Sequence, residues 1–381
     1  GGHTRIWRRS SSRRDENTGD AMRLAAEAGC RLRDMELVQF HPTGMVFPEE
    51  SAGTLVTEAV RGEGGILRNA AGERFMERYD SERLELSTRD RVALANYTEI
   101  AEGRGTDRGG VLLDVSHLDR ELILRRLPRM YRQFVDIAML DISMTPMDVA
   151  PTAHYSMGGV LVDPVTHATD VAGLFAVGEC ATGVHGANRL GGNSLAECLV
   201  FGRVVGAEAA AWSAALDVQV RDRGAIDEAR EEVDELLSRR GDEFARPLQR
   251  ALRDLMSERC GVVRSENGLR AGLEGVRELE EHTLSLEVRP DIAGHADLAH
   301  AFDLHGSLLA ARATLDCALE RRETRGAHNR LDFPDQDLAL RVNLTWTPGG
   351  EVAREPIADP SPAVAALAGG AELGVSGRLL E

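Results

Sequence analysis

Apolar residues recur at helical spacing in several stretches, and these stretches predict the helices of the chain. The spacing predicts helices over residues 21–29, 89–100, 119–134 and 194–212, and over most of 225–322. In the last stretch Leu and Val occupy one face and Glu and Arg the other, as in helices packed on a shared core. The C-terminal third is therefore predicted to be a helical domain.

Short apolar runs bounded by Gly and Pro predict strands between these helices. They cover residues 36–40, 158–162, 173–177 and 338–346, and the first is expected to end at His41-Pro42. Residues 47–66 are rich in Gly and Glu and predict a loop with one helical turn near Thr57. The Pro-punctuated stretch 145–151 is interpreted as a crossing between domains. Strands followed by helices predict an α/β plus α fold.

The composition limits the number of domains and the classes of function, but does not indicate a particular activity. The chain has 381 residues, enough for two or three domains, and a formal net charge of −17, which argues against nucleic-acid binding. All 45 basic residues are Arg. The 5 cysteines are scattered without a Cys-x-x-Cys pair, which excludes a common metal-ligand pattern and indicates a reducing compartment. No apolar run approaches the ~20 residues of a membrane span, and the start is polar, unlike a signal peptide.

A glycine-rich loop, residues 183–192, follows an apolar run that closes on Gly178 and Glu179. An acid at the end of such a strand can accept hydrogen bonds from sugar-alcohol hydroxyls, although a surface acid beyond a buried strand is equally compatible. Gly186 and the Gly191-Gly192 pair let the backbone approach a flat ligand closely. Asn193 or Ser194 is predicted to cap the next helix.

Arg189 lies inside this loop and is the strongest candidate for a ligand contact. Its guanidinium can donate two parallel hydrogen bonds to a carboxylate. A lone Arg in a loop is usually solvated, but here it lies between two glycine clusters and a helix start. Gly202 and Gly206, four residues apart on that helix, predict a close approach to a sheet or helix. His295, His300 and His305 are spaced by five and do not share a helical face, so no metal site is predicted.

His185–Leu195, with Phe201-Gly-Arg203 after it, resembles the flavoprotein subunit of succinate dehydrogenases and fumarate reductases, a family related to L-aspartate oxidase. The resemblance extends over nearly the whole chain. Further segments fall in the family's order: Thr18-Gly-Asp20, Gln39-Phe-His-Pro-Thr-Gly44, Thr57–Gly65, Gly72–Tyr79, Arg89-Asp90, His154–Gly159 and Arg325-Gly-Ala-His328.

The resemblance implies a dicarboxylate site. Arg189, His154, His41 and Thr57 match the positions that hold the two carboxylates of succinate or fumarate. A forked Arg contact and a His donor would fix the plane of the substrate against the cofactor.

The resemblance also implies that Arg89 is the proton donor to the substrate carbon. An Arg has a pKa above ~12, so losing a proton is costly unless it is replaced at once. Glu58 and Arg61 match the family's relay and share one face of a helical turn. Without the resemblance, this pair is better interpreted as a surface ion pair.

The implied cofactor is FAD, contacted by Asp20, Glu179, Ser194 and Leu195. A helix start at Ser194 would place free N–H groups near the pyrimidine end of the flavin. The family also opens with a βαβ unit carrying Gly-x-Gly-x-x-Gly, and no such motif occurs in these residues. Three interpretations stay open: a fragment, one piece of a split protein, or a non-catalytic interaction partner unable to hold FAD.

The expected architecture is the C-terminal portion of a Rossmann-like FAD domain (1–32 and 148–217), an α+β capping domain (33–147), a helical domain (218–332) and a C-terminal tail (333–381). The expected activity is FAD-dependent interconversion of succinate and fumarate, with a hydride moving to or from flavin N5. Electrons would pass to an iron–sulfur partner subunit, then through it to a membrane anchor. We therefore expect a cytoplasmic protein, free or held at the membrane by its partners.

The alternative activity is oxidation of L-aspartate to iminoaspartate. Two features favour the respiratory subunits: the segment Arg325-Gly-Ala-His328 and the long helical domain. In contrast, the sequence Glu197-Cys-Leu-Val200 also occurs among the oxidases.

Overall fold

The computed structural model describes residues 1–13, 15–218, 222–289, 295–349, 352–359 and 361–362. Within these ranges no helix is long and apolar enough to cross a membrane. The same ranges hold no group of three or more His, Cys, Asp or Glu that could bind a metal ion.

Helical residues outnumber strand residues in the described chain, and each stretch predicted to be helical contains helix. Their bounds are α1 (Asp20–Glu27), α2 (Ala59–Gly62), α3 (Met76–Tyr79), α4 (Arg89–Ala101), α5 (Arg120–Arg126), α6 (Pro128–Ala138), α7 (Asn193–Ala214), α8 (Arg223–Ser238), α9 (Ala245–Arg259), α10 (Glu266–His282) and α11 (Ala296–Glu320).

The strands form two four-stranded sheets and one pair. Their bounds are β1 (Leu32–Arg33), β2 (Val38–Met45), β3 (Ile66–Arg68), β4 (Val111–Asp114), β5 (Met147–Ser156), β6 (Gly159–Val160), β7 (Val263–Arg264), β8 (Asn329–Arg330), β9 (Val342–Trp346) and β10 (Ala353–Pro356). The order β2-β5-β4-β3 is antiparallel throughout, as is β10-β9-β1-β6, and among the strands of the described residues only β7 and β8 pair in parallel.

The mixture of helices and sheets is as predicted, but the two larger sheets among the described residues are antiparallel. A parallel Rossmann-like sheet is therefore not formed within the described ranges. Strands β9 and β10 come from the range predicted as a tail, and β9 pairs with β1 near the start of the chain. The division into domains stays a prediction, and residues 363–381 of the predicted tail lie outside the described part.

Three predictions made at Pro residues meet a different local structure. Residues 147–151 of the predicted crossing between domains form the start of β5, and the crossing itself stays a prediction. Strand β2 does not end at Pro42, because bulges after Gln39 and His41 let the ladder continue past it. The single helix predicted over 119–134 is two helices, since Pro128 begins α6 and its missing N–H cannot continue α5.

Two further boundaries differ. Residues 173–177 form no strand, and Phe175 makes only one bridge, to Ala168. Helix α7 has Gly192 as its N-cap in a left-handed conformation (φ 86°), without a capping side chain, so neither Asn193 nor Ser194 caps it. Its first N–H groups are left available for other partners.

Helices α7 and α11 are both rich in apolar residues, yet their surroundings differ. Helix α11 buries 14 of its 25 residues in the core. Helix α7 has 22 residues and buries only Glu197, while Leu195 and Leu199 are 73% and 77% exposed. The predicted close approach at Gly202 and Gly206 is wrong within the described residues, because nothing there lies within 4 Å of a Cβ built at either.

A buried charge cluster joins the end of α11 to the segment between β1 and β2. Arg321 donates to Glu36, at 2.5 Å, and forms ion pairs with Asp34 and Glu323, at 3.3 and 3.2 Å. All four side chains are almost fully enclosed. We call these four residues the Arg321 cluster; in it one guanidinium faces three carboxyl groups.

Candidate active site

Two histidines from adjacent strands form the centre of the candidate site. His41 on β2 is paired with Thr152 on β5, which places it beside His154 two residues further along, with ring centroids 5.3 Å apart. Nδ1 of His41 is 3.2 Å from the backbone nitrogen of Thr43, and Nδ1 of His154 lies 2.8 Å from Oγ of Ser11. The antiparallel ladder therefore presents both rings at one place.

Both imidazoles are held in the neutral form. Burial lowers the pKa of His154 to about 3, and the nearby guanidiniums of Arg189 and Arg89 act in the same direction. Burial, then His154 and the cations of Arg89 and Arg61, hold the pKa of His41 well below its ordinary value. Neutral rings can donate hydrogen bonds, and an anion placed between them would raise both pKa values.

Arg189 is 5% exposed and is positioned by contacts on three sides. Its Nη2 donates to Oε1 of Gln39 at 3.1 Å and its Nη1 donates to Oγ of Ser194 at 3.3 Å. The guanidinium carbon lies 4.3 Å from the ring centroid of Tyr155, a cation–π contact. Its Nε has no hydrogen-bond partner. Burial and the neighbouring Arg89 lower the pKa of Arg189.

Arg89, Glu58 and Arg61 lie close together in the structure. Arg89 is the first residue of α4, and its Nη2 lies 2.7 Å from Oε2 of Glu58. The other carboxylate oxygen of Glu58 is 3.8 Å from Nη2 of Arg61. Arg61 is fully buried and also donates to the carbonyl oxygen of Glu85. The three side chains thus form a contiguous series of charges from a buried cation to Arg89.

The site carries more positive than negative charge. Among the described residues, Glu58 is the only carboxylate within ion-pair distance of Arg61, Arg89 or Arg189. Arg89 Nη1, Arg189 Nε, and Nε and Nη2 of Arg61 are buried without hydrogen-bond partners. Because unpaired buried cations are costly, this group of three arginines favours an anionic ligand. We call the three residues the arginine site.

Thr57 is placed beside this group without a contact to it. It precedes α2, and its carbonyl oxygen accepts a hydrogen bond from Val60 at 3.1 Å. The side chain is partly exposed, next to Glu58 in the sequence.

The residues predicted to contact FAD are only partly brought together. Ser194 and Leu195 stand in the first turn of α7, where Ser194 already contacts Arg189. Glu179 accepts hydrogen bonds from the backbone nitrogen of Ser156 at 3.1 Å and from Asn17 at 3.2 Å. Burial raises its pKa, although these hydrogen bonds oppose the shift.

Asp20 lies apart from these groups. Its carboxylate accepts from Thr18 at 2.8 Å and lies against Gly306 of α11. Burial, together with a hydrogen bond to Asp20, raises the pKa of the neighbouring Asp303 to about 7. Within the described residues, no hydrogen bond joins Asp20 to Glu179 or Ser194.

Several residues that hold the site were not singled out from the sequence. Tyr155 donates to Glu197 at 2.5 Å, and His185 lies 2.8 Å from the same oxygen, so a buried carboxylate supports the ring under Arg189. Burial alone would raise the pKa of Glu197, but these hydrogen bonds lower it on balance. Gln39 and Asn188 both occur within the segments that resemble the family. That location was the only indication in the sequence that they contribute to the site.

Comparisons with known proteins find similarity over most of the chain. Residues 8–195 match the family model described as an FAD binding domain, and residues 249–353 match the model described as fumarate reductase flavoprotein C-term. A polypeptide of the CoM/CoB fumarate reductase of Methanothermobacter marburgensis is 48% identical over 318 residues, covering 83% of this chain and 57% of that polypeptide.

Two solved structures are similar over almost the whole chain. The flavoprotein of Escherichia coli quinol fumarate reductase, in a variant form, superposes with a TM-score of 0.87 and 32% identity, covering 95% of this chain and 65% of its own. Mycobacterium smegmatis Sdh1, in complex with UQ1, gives a TM-score of 0.86 and 38% identity, covering 98% and 63%. The chain spans 59% and 57% of the first two curated relatives that it matches.

Proposed function

The chain belongs to the family of succinate dehydrogenase and fumarate reductase flavoprotein subunits, and from that premise we propose that it forms the dicarboxylate site of an FAD-dependent enzyme interconverting succinate and fumarate. FAD is the cofactor that the family match indicates. The relatives named above do not favour the L-aspartate oxidase alternative or the non-catalytic one.

One observation carries the proposal: the arginine site faces two neutral histidines and contains too few carboxylates of its own. A dicarboxylate supplies two negative charges. One would be bound by Arg189 and His154, and the other by His41 and the N-terminal end of α2 at Thr57. The buried nitrogens without hydrogen-bond partners would then find acceptors. Two fixed ends hold the central carbons in one orientation.

The described residues fit one end of a flavin. The first turn of α7 has no capping side chain, and its partial positive charge favours the electron-rich pyrimidine end. Gly191 and Gly192 are exposed beside it, so a flat ring can approach their backbone. Glu179 and Asp20 would contact other parts of the cofactor. When bound, FAD supplies the hydride transfer that this chemistry requires.

Arg89 would supply the proton in fumarate reduction. A hydride adds to one central carbon and a proton from Arg89 adds to the other, giving succinate. The lost proton is replaced through Glu58, which contacts Arg89 at 2.7 Å and faces Arg61. Burial lowers the pKa of Arg61, which eases proton movement along the chain. Succinate oxidation uses the same groups in reverse.

In the complete enzyme, electrons would be exchanged with an iron–sulfur partner subunit, then through it with a membrane anchor. The family supports this proposal, because one solved relative is a quinol fumarate reductase and another was solved with UQ1. The physiological direction is set by the potentials of the cofactor and the partner, not by the residues of this site.

The test begins with the purified chain titrated with FAD, followed by the visible flavin absorbance and by retention on gel filtration. Bound flavin should support fumarate reduction by a reduced viologen and succinate oxidation by an artificial acceptor. Formation of hydrogen peroxide from L-aspartate would instead favour the oxidase. A protein that binds FAD but processes neither dicarboxylate would contradict the proposal.

A further inference from the structure

Asn188, the residue before Arg189, connects the two sides of the proposed site. Its Nδ2 donates to Oδ1 of Asp90 at 3.1 Å, and its Oδ1 accepts from Nε2 of Gln39 at 2.8 Å. Gln39 is 1% exposed and accepts from Nη2 of Arg189 at 3.1 Å through its own oxygen. One continuous chain of hydrogen bonds thus runs from Asp90 through two amides to Arg189.

The charges at the two ends fix the direction of every bond in this chain. A carboxylate only accepts, so Asn188 must turn its NH2 group towards Asp90. A guanidinium only donates, so Gln39 must turn its oxygen towards Arg189. The amides then meet donor to acceptor, and each polarises the next. A reversed amide at either position would break two contacts at once.

The same loop is held from a third direction. The backbone N–H of Ala327 donates to the carbonyl oxygen of Ala187 at 3.0 Å, and a Cβ at Gly326 would lie 2.3 Å from that oxygen. Gly326 has a left-handed φ of 55°, which suits the lack of a side chain. The turn around Gly326 therefore supports the loop immediately before Asn188.

Asp90 follows Arg89 in the first turn of α4, so whatever holds Asp90 also holds the start of that helix. We infer that Asn188 is a positioning residue, which fixes the separation between the carboxylate-binding Arg189 and the proton-donating Arg89. The roles of these two arginines rest on the proposed function. The hydrogen bonds of Asn188 to Asp90 and Gln39, which we call the tether, rest on the contacts above. A surface-loop Asn would contact water, whereas both ends of this amide are engaged within the protein.

The tether is tested first without activity, by hydrogen exchange and mass spectrometry on peptides covering residues 183–195. Asn188→Ala and Asp90→Ala should each speed exchange in this loop by about tenfold, the loss expected for a hydrogen bond to a charged group. Val184→Ala is the matched control, because Val184 is 44% exposed in the same loop. Unchanged exchange in both variants would overturn the inference.

The positioning role is tested in the FAD-loaded chain with fumarate and a reduced viologen. Each variant should raise KM and lower kcat, so that kcat/KM falls about tenfold while the midpoint of global unfolding stays the same. The double variant should be no worse than either single variant, because both break one chain. A hundredfold, additive loss would show two independent effects and overturn the inference.

The two proposals fail in different ways. If the unmodified chain reduces no fumarate, the proposed function fails, and the exchange experiment still decides whether the tether exists. If the unmodified chain is active and Asn188→Ala leaves kcat, KM and exchange unchanged, only the positioning role of Asn188 is wrong.

Discussion

Two of the places where the described residues bury positively charged side chains are built in opposite ways. In the Arg321 cluster one guanidinium faces three carboxyl groups, so the charge is neutralised within the chain. In the arginine site Glu58 pairs with Arg61 and Arg89 but not with Arg189, and four nitrogens of the three guanidiniums have no hydrogen-bond partner. The first arrangement pairs its positive charge within the fold, and the second leaves charge for a ligand to neutralise.

The largest expected effect is a loss of turnover without a loss of ligand binding when Arg89 of the arginine site is replaced. Arg89→Lys keeps the positive charge but alters the proton donor and its contact with Glu58. We expect turnover to fall by about 10²–10⁴-fold, the range for losing a general acid, while the dissociation constant of malonate changes little. Stopped-flow measurement of fumarate reduction gives the turnover, and a titration with malonate gives its dissociation constant. If turnover barely changes, Arg89 is not the proton donor.

The comparison predicts a large loss of stability at one arginine and little change at another of similar burial. Arg321→Met should lower the free energy of unfolding by about 3–5 kcal/mol, because it leaves carboxylates buried without their partner. Arg189→Met should leave the free energy of unfolding within about 1 kcal/mol of the parent, because it removes a poorly paired cation. Urea denaturation without ligand measures both. Equal losses would mean that the arginine site carries no excess charge.

Binding of a dicarboxylate beside the arginine site should be accompanied by protonation of His154. The pKa of His154 is about 3 in the free protein, and a bound dianion would raise it. Affinity for a dicarboxylate should therefore rise as the pH falls from about 7 towards 5, by at most about tenfold per pH unit for each proton taken up. Calorimetry in buffers of different ionisation enthalpy counts the protons. His154→Asn controls for titration of the ligand itself. If the number of protons taken up is unchanged in that variant, His154 is not the group that is protonated on binding.

The smallest effect belongs to the Arg321 cluster. Burial and the neighbouring Glu36 raise the pKa of Asp34 to about 7. Its contribution to stability is therefore present at low pH and is lost as the pH rises through about 7. For His154, whose folded pKa is lowered, the contribution is instead lost as the pH falls below about 6.5. Asp34→Asn should cost under about 1 kcal/mol at neutral pH, measured by denaturation between about pH 5 and 8. A cost of several kcal/mol would show that the ionised form is needed.

The sequence predicts individual site residues better than the contacts between them. Helical spacing located α4 and α7, and the motifs pointed to Arg89, Glu58, Arg61 and Arg189. Asn188 and Asp90 are 98 positions apart, and Glu36 and Arg321 are 285 apart. No local pattern reports such pairs, because they are brought together only by packing. Likewise, Pro151 suggested a connection, and only its pairing partner β2 shows that it lies within a strand.

The exposed surface of α7 has a consequence for the chain in solution. With a net charge of −17, copies of the chain repel one another at long range. Added salt shortens the reach of that repulsion to about 10 Å at 0.1 M, but does not weaken attraction between wetted apolar surfaces. A helix of 22 residues presents about 33 Å of such surface. The colloidal stability of the isolated chain therefore decreases as ionic strength increases, and dilute buffer is the medium in which copies stay apart.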